Sequence, residues 1–243
     1  MYENINKDDT LRKKEIALSY FTNNDYKHAL TIYSQINPKN SDVYLSMANC
    51  YTMLKEYAKA NENLQNAIKI DASNSDLYYI LALNYLDQNS PQSAKRELKK
   101  SIALNKKNLK SQKLLNSILR NEIDAVLSNA EKYYYKKDYV KTLEIINEGI
   151  SRLGAQTQLL YYRGTVYQEQ KRYLEALSDY KRVVEIDNEY DPVFYSLGTL
   201  FEEIGEEREA LSSYERYLSG TPESKENAKK AQDRVIELQK KYY

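Results

Sequence analysis

Apolar residues along this chain recur three and four positions apart, the spacing of one helix face rather than of a strand. The longest run begins at Leu114 and Leu115, passes Ile118 and Leu119, and keeps step through Ile123, Val126, Leu127 and Ala130. It predicts one helix, unbroken to about residue 136. A second run, Ala228, Ala231, Val235 and Leu238, is interleaved with Lys, Gln and Glu and predicts an amphipathic helix at the C-terminal end. Elsewhere a short cluster returns: DYKHAL at 25–30, EYAKAN at 56–61, DYVKTL at 138–143 and RYLEAL at 172–177. Each has a charged residue, then Tyr, then a small residue three positions on.

The small residues of this cluster are Ala29, Ala60, Ala94, Thr142, Ala176 and Ala210, separated by steps of 31, 34, 48, 34 and 34. A step of about 34 residues is the length of a stacked helix–turn–helix unit. The last unit reads Phe194, Leu197-Gly198, Phe201, Ala210, Tyr214 and Pro222. Earlier units read Tyr44, Met47-Ala48, Tyr51, Ala60, Leu64 and Tyr78, Leu81-Ala82, Tyr85, Ala94, Leu98. A further one has Leu160, Gly164, Tyr167, Ala176 and Tyr180. On these residues the chain resembles the tetratricopeptide-repeat family from about residue 11 to its end. The resemblance implies an all-α fold: an α-solenoid of six helix–turn–helix tetratricopeptide-like repeats with capping helices.

The pattern has a packing cause. Gly or Ala at the eighth position and a small residue at the twentieth let the two helices of a unit approach closely, and a larger side chain there overpacks the contact by about 1–3 kcal/mol. Aromatic residues at the fourth and eleventh positions fill the space toward the next unit, and Tyr26, Tyr57, Tyr139 and Tyr173 pack back across the turn. Most of the 25 tyrosines are therefore expected in the core. The irregular steps remove three residues or add 14, nearly whole turns, so the buried face keeps its direction. Ser90-Pro91 and Asp191-Pro192 each place a capping side chain before a proline suited to a first helical turn.

The added residues, 109–122, predict a helix that first covers the third repeat and then serves as the first helix of the fourth. With the C-terminal helix repeating the device, the expected organisation is two modules: residues 11–120, three repeats plus a covering helix, and residues 121–243, three repeats plus a C-terminal capping helix. A continuous six-repeat superhelix is the alternative.

Composition narrows the chemistry. Only six Gly and four Pro among 243 residues disfavour a turn-rich β fold, and 42% hydrophobic with 29% charged residues fits a packed domain. The net charge of +1 divides into +6 for residues 1–120 and −5 for residues 121–243, a polarity able to orient a partner or a second copy. Cys50, the single cysteine, rules out an intrachain disulfide and a thiolate metal cluster, and reads as a small buried hydrophobe. His28, the single histidine, lies at a helix start. No phosphate loop, dinucleotide fingerprint or nucleophile elbow occurs. No enzyme activity, cofactor or metal is expected. The lysine doublets are scattered among carboxylates, which argues against nucleic acid, and no run of apolar residues is long enough to span a membrane. The opening MYENINKDDT has no apolar core, so the expected location is the cytoplasm, or the periplasm or an anchored state if a leader was removed.

The family resemblance implies a concave groove lined by the first helix of each repeat at its second, fifth, sixth, ninth, twelfth and thirteenth positions. Carried onto this chain, the candidate peptide-binding residues are Asn49, Tyr79 and Leu83 in the first module and Glu131, Tyr134, Tyr135, Tyr161, Tyr162 and Tyr195 in the second. A surface that keeps many Tyr side chains off the core stripe suits a partner, because Tyr offers contact area with little rotamer entropy to lose. Relatives that grip an acidic C-terminal tail use Lys and Asn at fixed positions; here Lys14 is followed by Leu18, Ser46, Asp76 and Ile80, so that clamp is absent. The expected function is a non-enzymatic scaffold or adaptor whose Tyr-rich groove binds a peptide segment, apolar with basic residues, of a protein partner. The alternatives are a self-associating structural protein, a homo-oligomer, and a secretion or pilus accessory chaperone.

Overall fold

The computed structural model describes residues 2–222 and 224–242, with side chains from residue 8 to residue 241. Among the described residues there are thirteen helices and no strand. They are α1 (Tyr2–Thr22), α2 (Tyr26–Ser34), α3 (Ser41–Met53), α4 (Tyr57–Ile70), α5 (Ser75–Asp87), α6 (Pro91–Leu104) and α7 (Leu109–Tyr134). They continue as α8 (Tyr139–Leu153), α9 (Thr157–Glu169), α10 (Tyr173–Ile186), α11 (Asp191–Ile204), α12 (Glu207–Ser219) and α13 (Lys225–Tyr242). The chain divides into two compact units, Met1–Ile118 and Leu119–Tyr243.

One turn explains the periodicity. At the end of the first helix of each pair a residue enters the left-handed region: Asn24, Lys55, Asn89, Lys137, Lys171 and Gly205, with φ between 58° and 85°. The amide of the next residue donates back to the carbonyl five residues earlier: Asp25 to Tyr20, Glu56 to Tyr51, Ser90 to Tyr85, Asp138 to Tyr133, Arg172 to Tyr167 and Glu206 to Phe201, all at 2.8–3.0 Å. The left-handed residue donates to the carbonyl three back, as in Lys55 to Thr52 and Lys137 to Tyr134. This is a Schellman C-cap, which satisfies the carbonyls left over at a helix end. Three of the six positions hold Lys, where the left-handed conformation costs a side-chain-bearing residue about 1–2 kcal/mol. Replacing Lys55, Lys137 or Lys171 by Gly is expected to raise stability by about 0.5–1 kcal/mol each, the relief exceeding the added chain entropy of Gly. Urea titration of the three variants checks it, and a loss of stability in all three contradicts it.

The small residues do what the spacing requires. Ala29, Ala60, Ala94, Thr142, Ala176 and Ala210 are all at 0% exposure. At the partner position Ala17, Ala48, Ala82 and Ala130 are equally buried. Gly164 and Gly198 occupy it in α9 and α11, where an added Cβ would lie 2.6 Å from the Tyr180 ring and 2.5 Å from the Tyr214 ring. Those two tyrosines are among the largest fully buried side chains.

The two irregular steps show in helix lengths. α2 has nine residues where α4, α6 and α10 have 14, and α7 has 26 where α3, α5 and α9 have 13. The first half of α7 packs Ile118, Leu114 and Leu115 against Ala82, Ala94 and Leu98. Its second half packs Ile123, Val126 and Ala130 against Leu143 and Ile146 of α8. α13 closes the last pair with Ala231, Val235 and Leu238 against Leu211, Tyr214 and Tyr217, and Ala228 at the edge.

The two expected side-chain caps are not made. Ser90 is the N-cap of α6 but its hydroxyl turns back to the Gln88 carbonyl. Asp191 is the first residue of α11, and its carboxylate accepts from the Thr221 amide, 30 residues away, at 2.7 Å. Gly220 makes this possible, because a Cβ there would collide with that carboxylate. The aspartate thus ties the end of α12 to the start of α11, a long-range use that a local reading of Asp-Pro misses.

Cys50 is fully buried in α3, and burial pushes its thiol up to about 11, so it stays protonated. His28 is exposed; its Nδ1 lies 2.6 Å from Asp25, whose other oxygen accepts from the His28 amide, and its ring stacks on Tyr20. Among the described residues no group of His, Cys, Asp and Glu could hold a metal ion, and no helix is long and apolar enough to cross a membrane.

Candidate functional site

Side chains three, four and seven apart share a helix face, and this sets what the second unit presents. On α7, Glu131 and Tyr134 share a face, and Tyr135 follows directly at the helix end. On α9 the set is Tyr161 or Tyr162, Thr165, Gln168 and Glu169; on α11 it is Tyr195 or Ser196, Thr199, Glu202 and Glu203.

Tyr134 is the centre of an aromatic cluster. Its ring centroid lies 5.6 Å from Tyr162, 5.8 Å from Tyr135 and 5.9 Å from Tyr139. These are edge-on and tilted contacts of the kind aromatic quadrupoles prefer. Tyr135 is 79% exposed, whereas Tyr134 and Tyr162 are half-buried. The Tyr162 hydroxyl is buried and has no hydrogen-bond partner among the described residues. Burial first, and then the Glu131 carboxylate, pushes the Tyr162 phenol well above its ordinary range; burial, and then Glu169, raises Tyr134 as well. Both remain neutral phenols beside carboxylates.

A cavity of about 610 Å³ lies between α9 and α11. Its buried and half-buried wall is polar: Thr165, Gln168, Tyr180, Ser196 and Thr199, with exposed Glu169, Lys171 and Glu203 around it. The wall is pre-organised. The Tyr180 hydroxyl donates to Gln168 Oε1 at 3.0 Å, and Gln168 Nε2 donates to Thr199 Oγ1 at 3.2 Å and Glu203 Oε1 at 3.3 Å.

The nine sequence candidates fall into three groups. Asn49, Tyr79 and Leu83 belong to the first unit, half-buried except Leu83 at 36% exposure. Glu131, Tyr134, Tyr135 and Tyr162 come together as just described. Tyr161 and Tyr195 are drawn into packing, Tyr161 toward the next helix pair and Tyr195 against the second helix of its own pair. Tyr161 meets Tyr180 at a tilt and Tyr190 edge-on, at 5.9 and 5.3 Å, and shares a hydrogen bond with Ser196 at 3.1 Å. Tyr195 lies against Tyr214 and Tyr217. Sequence reasoning passed over Ser196 and Gln168, though both stand at sixth and twelfth positions of their units, where the family map already pointed. Glu202, in contrast, is engaged: it accepts from Tyr214 at 2.9 Å and from Arg234 at 2.7 Å. In the first unit Lys14, the one clamp-like lysine, sits 3.8 Å from the Asp42 carboxylate.

Two segments of the chain, residues 75–108 and 157–190, match family models described as tetratricopeptide repeat. Anaphase-promoting complex subunit 3 of Dictyostelium discoideum is 35% identical over 78 residues, 31% of this chain and 8% of that protein. Tetratricopeptide repeat protein 16 of Homo sapiens is 23% identical over 164 residues, 66% of this chain and 19% of that protein. The chain thus spans less than a fifth of the length of these curated relatives. Among solved structures, the TPR2AB domain of yeast Sti1 in its complex with pHSP90 superposes with a TM-score of 0.44 at 13% identity, covering 95% of this chain and 98% of that one.

Proposed function

We propose that this tetratricopeptide-repeat protein is a non-enzymatic adaptor that holds a peptide segment of a protein partner on the first-helix face of its second unit. The observation that carries the reading is the cluster of Tyr134, Tyr135 and Tyr162, two rings half-buried and one 79% exposed, next to a polar cavity of about 610 Å³. A large exposed aromatic beside half-buried ones is the composition of a binding hot spot, where Tyr supplies contact at low entropy cost. One matched relative is, by its name, a subunit of the anaphase-promoting complex, which is in keeping with a role inside a protein assembly. The face of the first unit that bears Asn49, Tyr79 and Leu83 is the second candidate surface.

The test is a pair of affinity captures from the native source with the full chain. One bait is Tyr135→Ala, which removes an exposed ring and is expected to leave the thermal melt unchanged. The other is Leu174→Asp, on the second-helix side, where Leu174 is 82% exposed. The Tyr135→Ala bait is expected to recover about tenfold less partner, the worth of one aromatic hot-spot contact, and Leu174→Asp as much as wild type. The reverse pattern assigns binding to the other side and defeats the reading. Tyr161→Ala is unsuitable here, since its ring and hydroxyl serve packing between helix pairs.

A further inference from the structure

We infer that the occupant of this face is an extended segment with two basic side chains about three residues apart: one seated among Tyr134, Tyr135 and Tyr162 beside Glu131, the other over Glu169 and Glu203. The inference rests on the proposed function above and names the chemistry of its ligand.

Charge on the first-helix side points to the ligand. Several carboxylates of the second unit have cations, Glu144 with Lys141, Glu175 with Arg172, Glu185 with Arg182 and Glu202 with Arg234, while others such as Glu148 and Glu189 stand without one among the described residues. Asp179 is held by Arg163. Glu131, Glu169 and Glu203 make no ion pair among the described residues, and all three are exposed on the first-helix side. Lys171 is the cation that lines the cavity; it stands in the turn after α9, and no ion pair joins it to either carboxylate. An acidic ligand would meet three uncompensated carboxylates, and so would a nucleic acid.

The aromatic cluster favours the same cation. The faces of Tyr rings carry negative quadrupole potential, and a guanidinium or ammonium within about 6 Å of them is attracted. Tyr134, Tyr135 and Tyr162 are close enough together to be reached by one side chain, with the Glu131 carboxylate near enough to raise the Tyr162 phenol. The Tyr162 hydroxyl lacks a partner among the described residues, and a basic side chain seated in the cluster would bring it an N–H donor. A buried oxygen left unmet is unfavourable, and a charged donor is the best remedy.

The repeat register sets the spacing of the two basic side chains. Tyr135, Glu169 and Glu203 stand 34 residues apart, at the same position of successive helix pairs. Packed helices lie about 8–10 Å apart, and an extended chain advances about 3.3 Å per residue. Two sites one helix apart are therefore about three residues apart along the ligand. Glu169 belongs to both, since it acts on Tyr134 and also lines the cavity.

The test uses the full chain and three dye-labelled, end-blocked nine-residue peptides in a Ser/Leu background. One carries Arg at two positions three apart, one citrulline at the same positions, and one Glu. Fluorescence anisotropy is expected to give about tenfold tighter binding for the Arg peptide than for its neutral isostere, no binding of the Glu peptide, and weakening as salt rises. Glu169→Gln, an exposed substitution, is expected to lower Arg-peptide affinity about fivefold without moving the melt. Equal affinity for Arg and citrulline peptides overturns the inference, and if Tyr135→Ala weakens both, the binding face itself stands. If no peptide binds and Tyr135→Ala also leaves capture from the source unchanged, the proposed function falls with it. If light scattering finds a dimer that Glu169→Gln dissolves, the basic segment is that of a second copy, and the inference of a separate partner is overturned.

Discussion

Gly198→Ala is expected to destabilise the protein by about 2–3 kcal/mol, the upper part of the range for overpacking a core. The added methyl would sit 2.5 Å from the Tyr214 ring, and that ring cannot swing away. Its hydroxyl donates to Glu202 at 2.9 Å, and Glu202 is itself fixed by Arg234 of α13. The other helix pairs show the remedy: Ala48 faces Leu64 and Ala82 faces Leu98, all four at 0% exposure. Small-with-large and medium-with-medium are two solutions of one volume problem. Tyr214→Leu alone leaves a void next to Gly198, whereas Gly198→Ala with Tyr214→Leu rebuilds the pairing of α3/α4. The double variant is thus expected to be more stable than the sum of the single effects by at least about 1 kcal/mol, a coupling typical of residues in contact. Ala17 with Tyr33 is a third combination, at the end of the short α2. Urea unfolding of the four proteins in the cycle decides it; additive losses mean the two positions do not share a volume.

The parts of the fold legible in the sequence were those where backbone approaches backbone. A small residue at such a contact admits no substitute, so Ala29, Ala60, Ala94, Thr142, Ala176 and Ala210 announced themselves by spacing alone. Helix α7 was legible because one apolar stripe runs unbroken from Leu114 to Ala130. The side-chain bonds were not. Asp191 resembles a local cap, and what diverts it to Thr221 is Gly220, a residue whose meaning depends on a neighbour 29 positions away.

Within the candidate site the difficulty is that one residue type serves two roles. Tyr161 and Tyr162 are adjacent, both off the core stripe of their own helix, and sequence gives them equal standing. The next helix pair separates them: Ser196 and Tyr190 draw Tyr161 inward, while Tyr162 turns toward Tyr134. Tyr195 is taken instead by Tyr214 and Tyr217 of α12, the partner helix of its own pair. Periodicity fixes a side chain's direction relative to its own helix, and burial at a fifth position is set by what the partner helix and the following pair bring against it. Glu131 and Tyr135 escape that ambiguity because both are exposed.

Asp179→Ala is expected to cost about 2–3 kcal/mol, less than the loss for a fully buried pair because Arg163 keeps partial access to water. Both carboxylate oxygens are used: Arg163 Nε donates to Oδ2 at 2.8 Å and Nη2 to Oδ1 at 2.7 Å. The third guanidinium nitrogen donates to Asn147 at 2.8 Å, so one side chain of α9 ties together α8 and α10. The Asp179 side chain is 7% exposed against 22% for Arg163, so salt screens the pair weakly. The melt is expected to fall by about 5–10 °C and to fall equally at high salt. Removing Glu185 from its exposed pair with Arg182, 62% and 59% accessible, is expected to cost under about 1 kcal/mol. Replacing Arg163 by Met and Asp179 by Leu together should recover most of the loss, since what harms the single variant is a guanidinium left without its acceptor. The double variant also tests what the bridge is for. Arg163 directly follows Tyr162, and neighbours on a helix diverge by about 100°, so clamping one face of α9 fixes the angle at which Tyr162 meets Tyr134. A double variant that regains its melt yet captures less partner than wild type assigns the bridge to orientation of the site; full recovery of both assigns it to stability alone.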